Sequence, residues 1–240
     1  MKLENVIVER PYKKVYRCDE GIAKVFEPSH PKEDVFNEAL NQARVEATGL
    51  NIPKVKSVNE IDGKWALVID YKEGKTLEEL MQENPDKMDE YMEQFVDLQL
   101  EIHSKTAPLL GKLKDKLNRQ INSLKDVVDA TTRYELLTRL DSMPKHHKVC
   151  HGDFNPSNVI VGEDGSLYVV DWAHATQGNA SADAAMTYLL FALKDQKLAD
   201  KYMDLFCRKS DTSKQYVQQW LPIVAAAQLT KKHTMEQDFL

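Results

Sequence analysis

Four side chains that are costly to bury, His151, Asp153, Asn158 and Asp171, stand in one run, VCHGDFNPSNVIVGEDGSLYVVDWAHAT from Val149 to Thr176, that is otherwise rich in β-branched residues. Within it Val159-Ile160-Val161 and Leu167-Tyr168-Val169-Val170 read as two short strands around Gly162-Glu163-Asp164-Gly165, a turn by composition. Folding back at that turn brings Asn158, just before the first strand, beside Asp171, just after the second. An amide oxygen and a carboxylate placed together suit a hard, oxygen-loving cation such as Mg²⁺. Asp153 lies five residues before Asn158 in a loop carrying Pro156, near such a metal without binding it and free to act as a base. His151 is placed to hydrogen-bond backbone carbonyls and hold the loop in shape. Any one of these residues alone reads as a cap or a satisfied core group; four at this spacing point to chemistry.

The elements that must position them follow from periodicity. NVIVER, KKVYRC and GIAKVF alternate apolar and polar residues, separated by Pro11 and by the turn Asp19-Glu20-Gly21, and predict an antiparallel meander. From Pro31 to Gly49 the spacing of Val35, Leu40, Ala43 and Ala47 becomes helical. IPKVKSV and KWALVIDY, joined by Asp62-Gly63, predict a second strand pair, giving five strands and one helix. After Gly74 the apolar residues fall at three-to-four spacing in TLEELM, in DEYMEQFVDLQLEIHS and in the polar run from Leu109 to Leu140. The same spacing returns after the hairpin in ADAAMTYLLFAL, ADKYMDLFCR and SKQYVQQWLPIVAAAQLTKKH. Residues 1–73 are thus expected to form a β-rich N-terminal lobe and 74–240 a mainly α-helical C-terminal lobe, with a cleft between them as the natural ligand site.

With 240 residues, 42% of them hydrophobic, the chain can bury the cores of two modest lobes. A net charge of −6, with no basic run, argues against a nucleic-acid partner. The N-terminal MKLENVIVER lacks a signal-peptide core and no segment reaches the roughly 20 apolar residues of a membrane span, so a cytoplasmic chain with no membrane partner is expected. Cys18, Cys150 and Cys207, far apart and without CxxC spacing, read as reduced core thiols.

HGDFNPSN followed by VVDW resembles the HxDxxxxN and DW signature of the aminoglycoside phosphotransferase and choline kinase group, which has the protein-kinase-like fold. The resemblance implies an α+β, two-lobed chain: a small antiparallel N-lobe sheet with one helix, and a larger helical C-lobe carrying the catalytic hairpin. It implies that Asp153 positions and activates a substrate hydroxyl while Asn158 and Asp171 bind Mg²⁺ at the nucleotide phosphates. Trp172, in place of the Phe that follows the metal Asp in protein kinases, favours the small-molecule branch. The fold also needs a third-strand Lys for the phosphates and a helical Glu to hold it, which Lys24 in GIAKVF and Glu38 supply. LVIDYKEGKTLEEL resembles the interlobe connector, placing Ile69 at the back of the adenine pocket and the backbone of Asp70, Tyr71 and Lys72 against the base edge. Asp183 matches the Asp that braces the catalytic loop, and it also suits a helix N-cap. The chain departs from protein kinases between its first two strands, where Glu9-Arg10-Pro11-Tyr12-Lys13-Lys14 contains no glycine. There Arg10, Lys13 and Lys14 are either solvated or substitute charge for backbone amides.

The expected activity is an ATP-dependent, Mg²⁺-requiring phosphotransfer to the alcohol group of a small polar molecule, with GTP not excluded and a monomeric or homodimeric state. The acceptor is left open among antibiotics, amino alcohols and sugar-like compounds. Residues 201–240 carry six basic and four acidic side chains, which weighs against a polycationic aminoglycoside. Glu236 and Asp238 are the carboxylates there that would reach a cationic group. Two rival readings are a catalytically silent kinase-like module that binds a nucleotide or metabolite, and a metal-dependent phosphoesterase using His151, Asp153 and Asp171. The second leaves Lys24 and Glu38 unexplained.

Overall fold

The computed structural model describes residues 2–235, with side chains through residue 230, so Glu236 and Asp238 lie outside the described residues. The chain forms two compact units. One comprises Met1–Met88 with Pro156–Ala175, the other Asp89–Asn155 with Thr176–Leu240.

The first unit is built on five antiparallel strands: β1 (Leu3–Arg10), β2 (Lys13–Cys18), β3 (Gly21–Phe26), β4 (Val55–Ile61) and β5 (Lys64–Ile69), in the order β1-β2-β3-β5-β4. Alternation sorts their side chains onto two faces. Cys18, Ala23, Val25, Ala66 and Val68 form one apolar cluster. Phe26, Leu67 and Ile69 form another with Val35 and Ala39 of α1 (Lys32–Glu46), the one helix laid against the sheet. Pro31 pre-sets the helix entry, and Glu33 and Asp34 in the first turn with Arg44 in the last complement the helix dipole. Asp62 and Gly63, with φ of 50° and 75°, give the mirror-image turn that matches strand twist between β4 and β5.

The same unit holds a three-stranded sheet, β6 (Lys75–Thr76), β8 (Val159–Val161) and β9 (Leu167–Val169), in the order β6-β8-β9. The connector therefore contributes a strand to the hairpin. Thr76 then caps α2 (Leu77–Glu83) in a reciprocal box with Glu79. The pairing depends on Gly74, where φ is 150° and a Cβ would lie 2.1 Å from the Val161 carbonyl oxygen. Gly74→Ala is expected to cost about 2 kcal/mol or more through backbone displacement, read as a lowered urea midpoint.

The second unit is helical: α3 (Met88–Ser104), α4 (Leu113–Ser123), α5 (Ala130–Ser142), α6 (Ala180–Ala192), α7 (Gln196–Ser210) and α8 (Lys214–Met235). The polar run from Leu109 to Leu140 divides into α4 and α5, because Asp129 accepts from the Thr132 amide and starts a new helix. Ala182, Ala184 and Ala185 are buried on α6, which packs against α7 and α8. Two short strands, β7 (Lys148–Cys150) and β10 (Thr176–Gly178), pair antiparallel and bracket the catalytic-type loop and hairpin in sequence. All three cysteines are buried and unbridged. Among the described residues no helix is long and apolar enough to cross a membrane.

Candidate active site

In the first unit, strand register decides which charged groups meet. Val15 of β2 pairs with Lys24 of β3, and Lys13 pairs with Phe26, so Lys13 and Lys24 project from one sheet face. That face is covered by α1, and Glu38 on α1 accepts from the Lys24 ammonium at 2.5 Å. Both are buried, at 6% and 4% exposure. Asp171 completes the cluster: Oδ1 lies 3.3 Å from Lys24 Nζ and Oδ2 lies 3.5 Å from Lys13 Nζ. Two ammoniums thus face two carboxylates, the balance that buried charge requires.

The electrostatics follow. Burial by itself would depress the Lys24 pKa, but Asp171 and Glu38 outweigh it, and the ammonium is held well above its ordinary value. Burial would raise the Asp171 carboxyl, but Lys24, Lys13 and His174 win and hold it far below the usual carboxylate range. Asp171 is therefore an anion at any physiological pH.

The hairpin delivers Asp171 as its sequence suggests. Val159 pairs with Val169, and the Val170 amide donates to the Asn158 carbonyl at 2.9 Å, so Asn158 stands opposite the residue before Asp171. Asp171 itself adopts the left-handed conformation, φ 66° and ψ 63°, which turns the chain from β9 into the 3₁₀ turn Trp172–His174. Trp172 is fully buried and its indole N–H donates to the Val169 carbonyl at 3.0 Å, while Asn41 on α1 donates to the Ala173 carbonyl at 3.2 Å. These bonds anchor the turn against the helix that carries Glu38. Among the described residues no three His, Cys, Asp or Glu side chains group as a metal cage. Asp171 and Asn158 fit a Mg²⁺ ion held by few protein oxygens together with phosphates.

The loop bearing Asp153 belongs to the second unit. Its anchor is Asp183, 3% exposed, which accepts from His103 Nε2 at 2.9 Å, the His151 amide at 3.1 Å and the Gly152 amide at 2.7 Å. Gly152 has a φ of 80°, a conformation that favours glycine and here turns consecutive amides onto one carboxylate. Burial would raise the Asp183 carboxyl, but its hydrogen bonds from His103 and Gly152 hold it below the ordinary range. The N-cap reading of Asp183 is corrected: Asn179 caps α6 by accepting from the Ser181 amide, and Asp183 sits a turn inside the helix, where its side chain meets the loop. His151 Nδ1 accepts from the Asp153 amide at 3.2 Å, a bond within the loop that helps fix its shape. Below the loop, the Thr187 hydroxyl donates to the Phe154 carbonyl at 3.0 Å and accepts from Gln99, whose own oxygen accepts from Tyr202.

The connector residues are distributed differently. Ile69 is buried in the cluster with Phe26 and Leu67. The Asp70 amide donates to the Lys54 carbonyl and its carboxylate pairs with Lys56 at 3.1 Å. Tyr71 lies under the Arg17 guanidinium, 3.6 Å from the ring centroid. Tyr71 and Lys72 line a groove of about 380 Å³ with Tyr168 and the β8–β9 turn. Neither Lys24 nor Asp171 borders that groove, so it is separate from the charged cluster.

Lys13 is the residue that sequence reasoning left undecided. The signal was its register: with Val15 opposite Lys24, a residue two positions earlier shares the Lys24 face, while Lys14 points away and pairs with Glu9.

The profile described as phosphotransferase enzyme family (APH) matches residues 13–216. Curated proteins give no sequence match. Solved structures similar in fold include the apo form of a thermostable mutant of aminoglycoside phosphotransferase APH(4)-Ia, with TM-score 0.70 and 16% identity over 97% of this chain and 88% of that one. Aminoglycoside-3'-phosphotransferase of type VIII gives TM-score 0.70 and 14% identity over 94% and 93%. APH(3'')-Id from Streptomyces rimosus ATCC10970, in complex with ADP and streptomycin, gives 0.64 and 16% over 89% and 90%. At these identities the likeness is one of fold: a kinase-like α+β architecture with an antiparallel sheet followed by a helical region.

Proposed function

The chain belongs to the phosphotransferase enzyme family, and from that membership we propose that it moves the γ-phosphate of ATP, with Mg²⁺, to a hydroxyl of a small polar molecule. The observation that carries this reading is the Lys24–Glu38–Asp171 cluster, because it places a fixed cation beside a permanently ionised carboxylate on one sheet face. Lys24, steadied by Glu38, supplies positive charge to the nucleotide phosphates. Asp171 and Asn158 would hold Mg²⁺, and the ion would supply positive charge to the phosphates. Asp153, on a loop whose amides are pinned to Asp183, orients the acceptor hydroxyl and takes its proton. His151 keeps that loop in shape, and the main chain of Asp70 to Lys72, behind Ile69, receives the base. Since such transfer is achieved by positioning and charge stabilisation, buried and cross-braced side chains are what it requires. The presence together of Asp153, Asn158 and Asp171 also speaks against a silent binding module, which needs no base at Asp153.

For the acceptor, the chain's own C-terminal charge supports a neutral or weakly charged polar alcohol over a polycation, although the similar structures include a streptomycin complex. The test is ADP formation from ATP and Mg²⁺ against amino alcohols, sugars, aminoglycosides and macrolides. Acceptor-dependent ADP formation that falls about a hundredfold in Asp153→Asn is the expected result. Nucleotide binding with no acceptor-stimulated turnover in a broad panel would favour the silent module instead.

A further inference from the structure

We propose that Lys13 is a phosphate-binding residue, which leaves Asp171 for the nucleotide's phosphates and so replaces the backbone amides that a glycine-rich turn would offer. The inference rests on the nucleotide reading above and names a residue for which that reading has no role.

Three observations carry it. The first is the turn itself. β1 and β2 are joined by Pro11 and Tyr12 alone, with Arg10 paired to Lys13. Pro11 has no N–H and there is no glycine to let the backbone approach an anion closely. The turn is instead fixed by aromatic packing: His30 stacks on Tyr12 at 5.6 Å and on Phe26 at 4.9 Å, and the Glu27 amide donates to the Tyr12 carbonyl. With one N–H missing and no glycine for close approach, such a turn favours a side chain as the phosphate donor.

The second is where Lys13 sits. It is 8% exposed, on the same face as Lys24, with its ammonium 5.7 Å and 6.0 Å from the Tyr12 and Phe26 ring centroids. A lysine so deeply buried is costly unless a charged partner waits there. Lys14, its neighbour, shows the ordinary alternative in a more exposed pair with Glu9.

The third is the asymmetry of the two lysines. Lys24 is locked to Glu38 at 2.5 Å, whereas Lys13 reaches Asp171 at 3.5 Å, at the outer limit of a hydrogen bond. Lys13 therefore loses little by exchanging one carboxylate oxygen for phosphate oxygens, and its flexible four-carbon stem permits the movement.

The experiment is calorimetric binding of ATP or GTP, whichever the wild type holds more tightly, with Mg²⁺, and of the matching nucleoside, to the wild type, Lys13→Met, Lys13→Arg and Lys14→Met. Lys13→Met is expected to weaken the triphosphate about tenfold, with the nucleoside unchanged within about twofold. Lys13→Arg should recover part of the loss and Lys14→Met should match the wild type. Equal triphosphate affinity in Lys13→Met would overturn the inference while leaving the nucleotide reading intact. Equal loss for triphosphate and nucleoside would also overturn it, since that is the mark of a merely structural lysine. A wild type that binds neither nucleotide would overturn the functional reading, and this inference with it.

Discussion

Asp171→Asn is expected to lower phosphotransfer by about 10³-fold or more and to remove the Mg²⁺ dependence of nucleotide binding. Asparagine is the informative choice because residue 171 has a φ of 66°, and Asn tolerates that region where Ala would add strain. The substitution keeps the turn and removes only the charge. Lys24 retains Glu38, but Lys13 loses its ion pair with residue 171, so a small drop in stability accompanies the large drop in rate. Steady-state ADP formation and nucleotide titration with and without Mg²⁺ measure the first effect, and thermal unfolding separates it from the second. Near-normal turnover in a folded Asp171→Asn protein would sink the assignment of this residue.

Asp183→Asn should show the larger loss of stability, about 3 kcal/mol near neutral pH. The carboxylate accepts from three donors in a site with almost no water access, and an amide in its place turns its own N–H groups toward one of them. The effect has a defined pH dependence. The folded pKa of Asp183 lies below the unfolded value of 3.8, so its contribution is fully present above 3.8 and is lost as pH falls through the lower folded value. Urea unfolding at a series of pH values should show a constant gap between wild type and variant above that point and a narrowing gap below it. A gap that instead widened on acidification would mean that the buried carboxyl is held protonated.

Much of this was legible in the chain. The sheet and α1 announced themselves because Pro31, Gly49 and Asp62-Gly63 are strong local punctuation between segments of clear period. The hairpin register followed from the spacing of Asn158, the turn glycines and Asp171. What escaped depends on non-local pairing. β6, β7 and β10 are strands of two or three residues, too short for any period, and each exists only because a distant segment supplies its partner. Asp183 drew two readings for a similar reason: by local pattern a helix start looks the same whether the carboxylate caps its own helix or reaches a loop some 30 residues away, and the resemblance alone pointed to the loop. Lys13 needed the β2–β3 register, which composition does not give.

The hairpin's membership in the first unit also bears on synthesis. Asn51 donates to Leu167 and accepts from Val169, and Asn41 holds Ala173, so the first unit is closed by segments that leave the ribosome long after its sheet. With Met88 and Ala175 separated by 87 positions, translation at ordinary speed inserts a delay of roughly 4–17 s. Through that interval the nascent sheet and α1 carry Lys24 and Glu38 with no Asp171 to offset the charge of the second lysine, and β6 has no strand to join. The order of manufacture thus makes assembly of the charged cluster a late event, and the unit that comes first in sequence is the one that must wait.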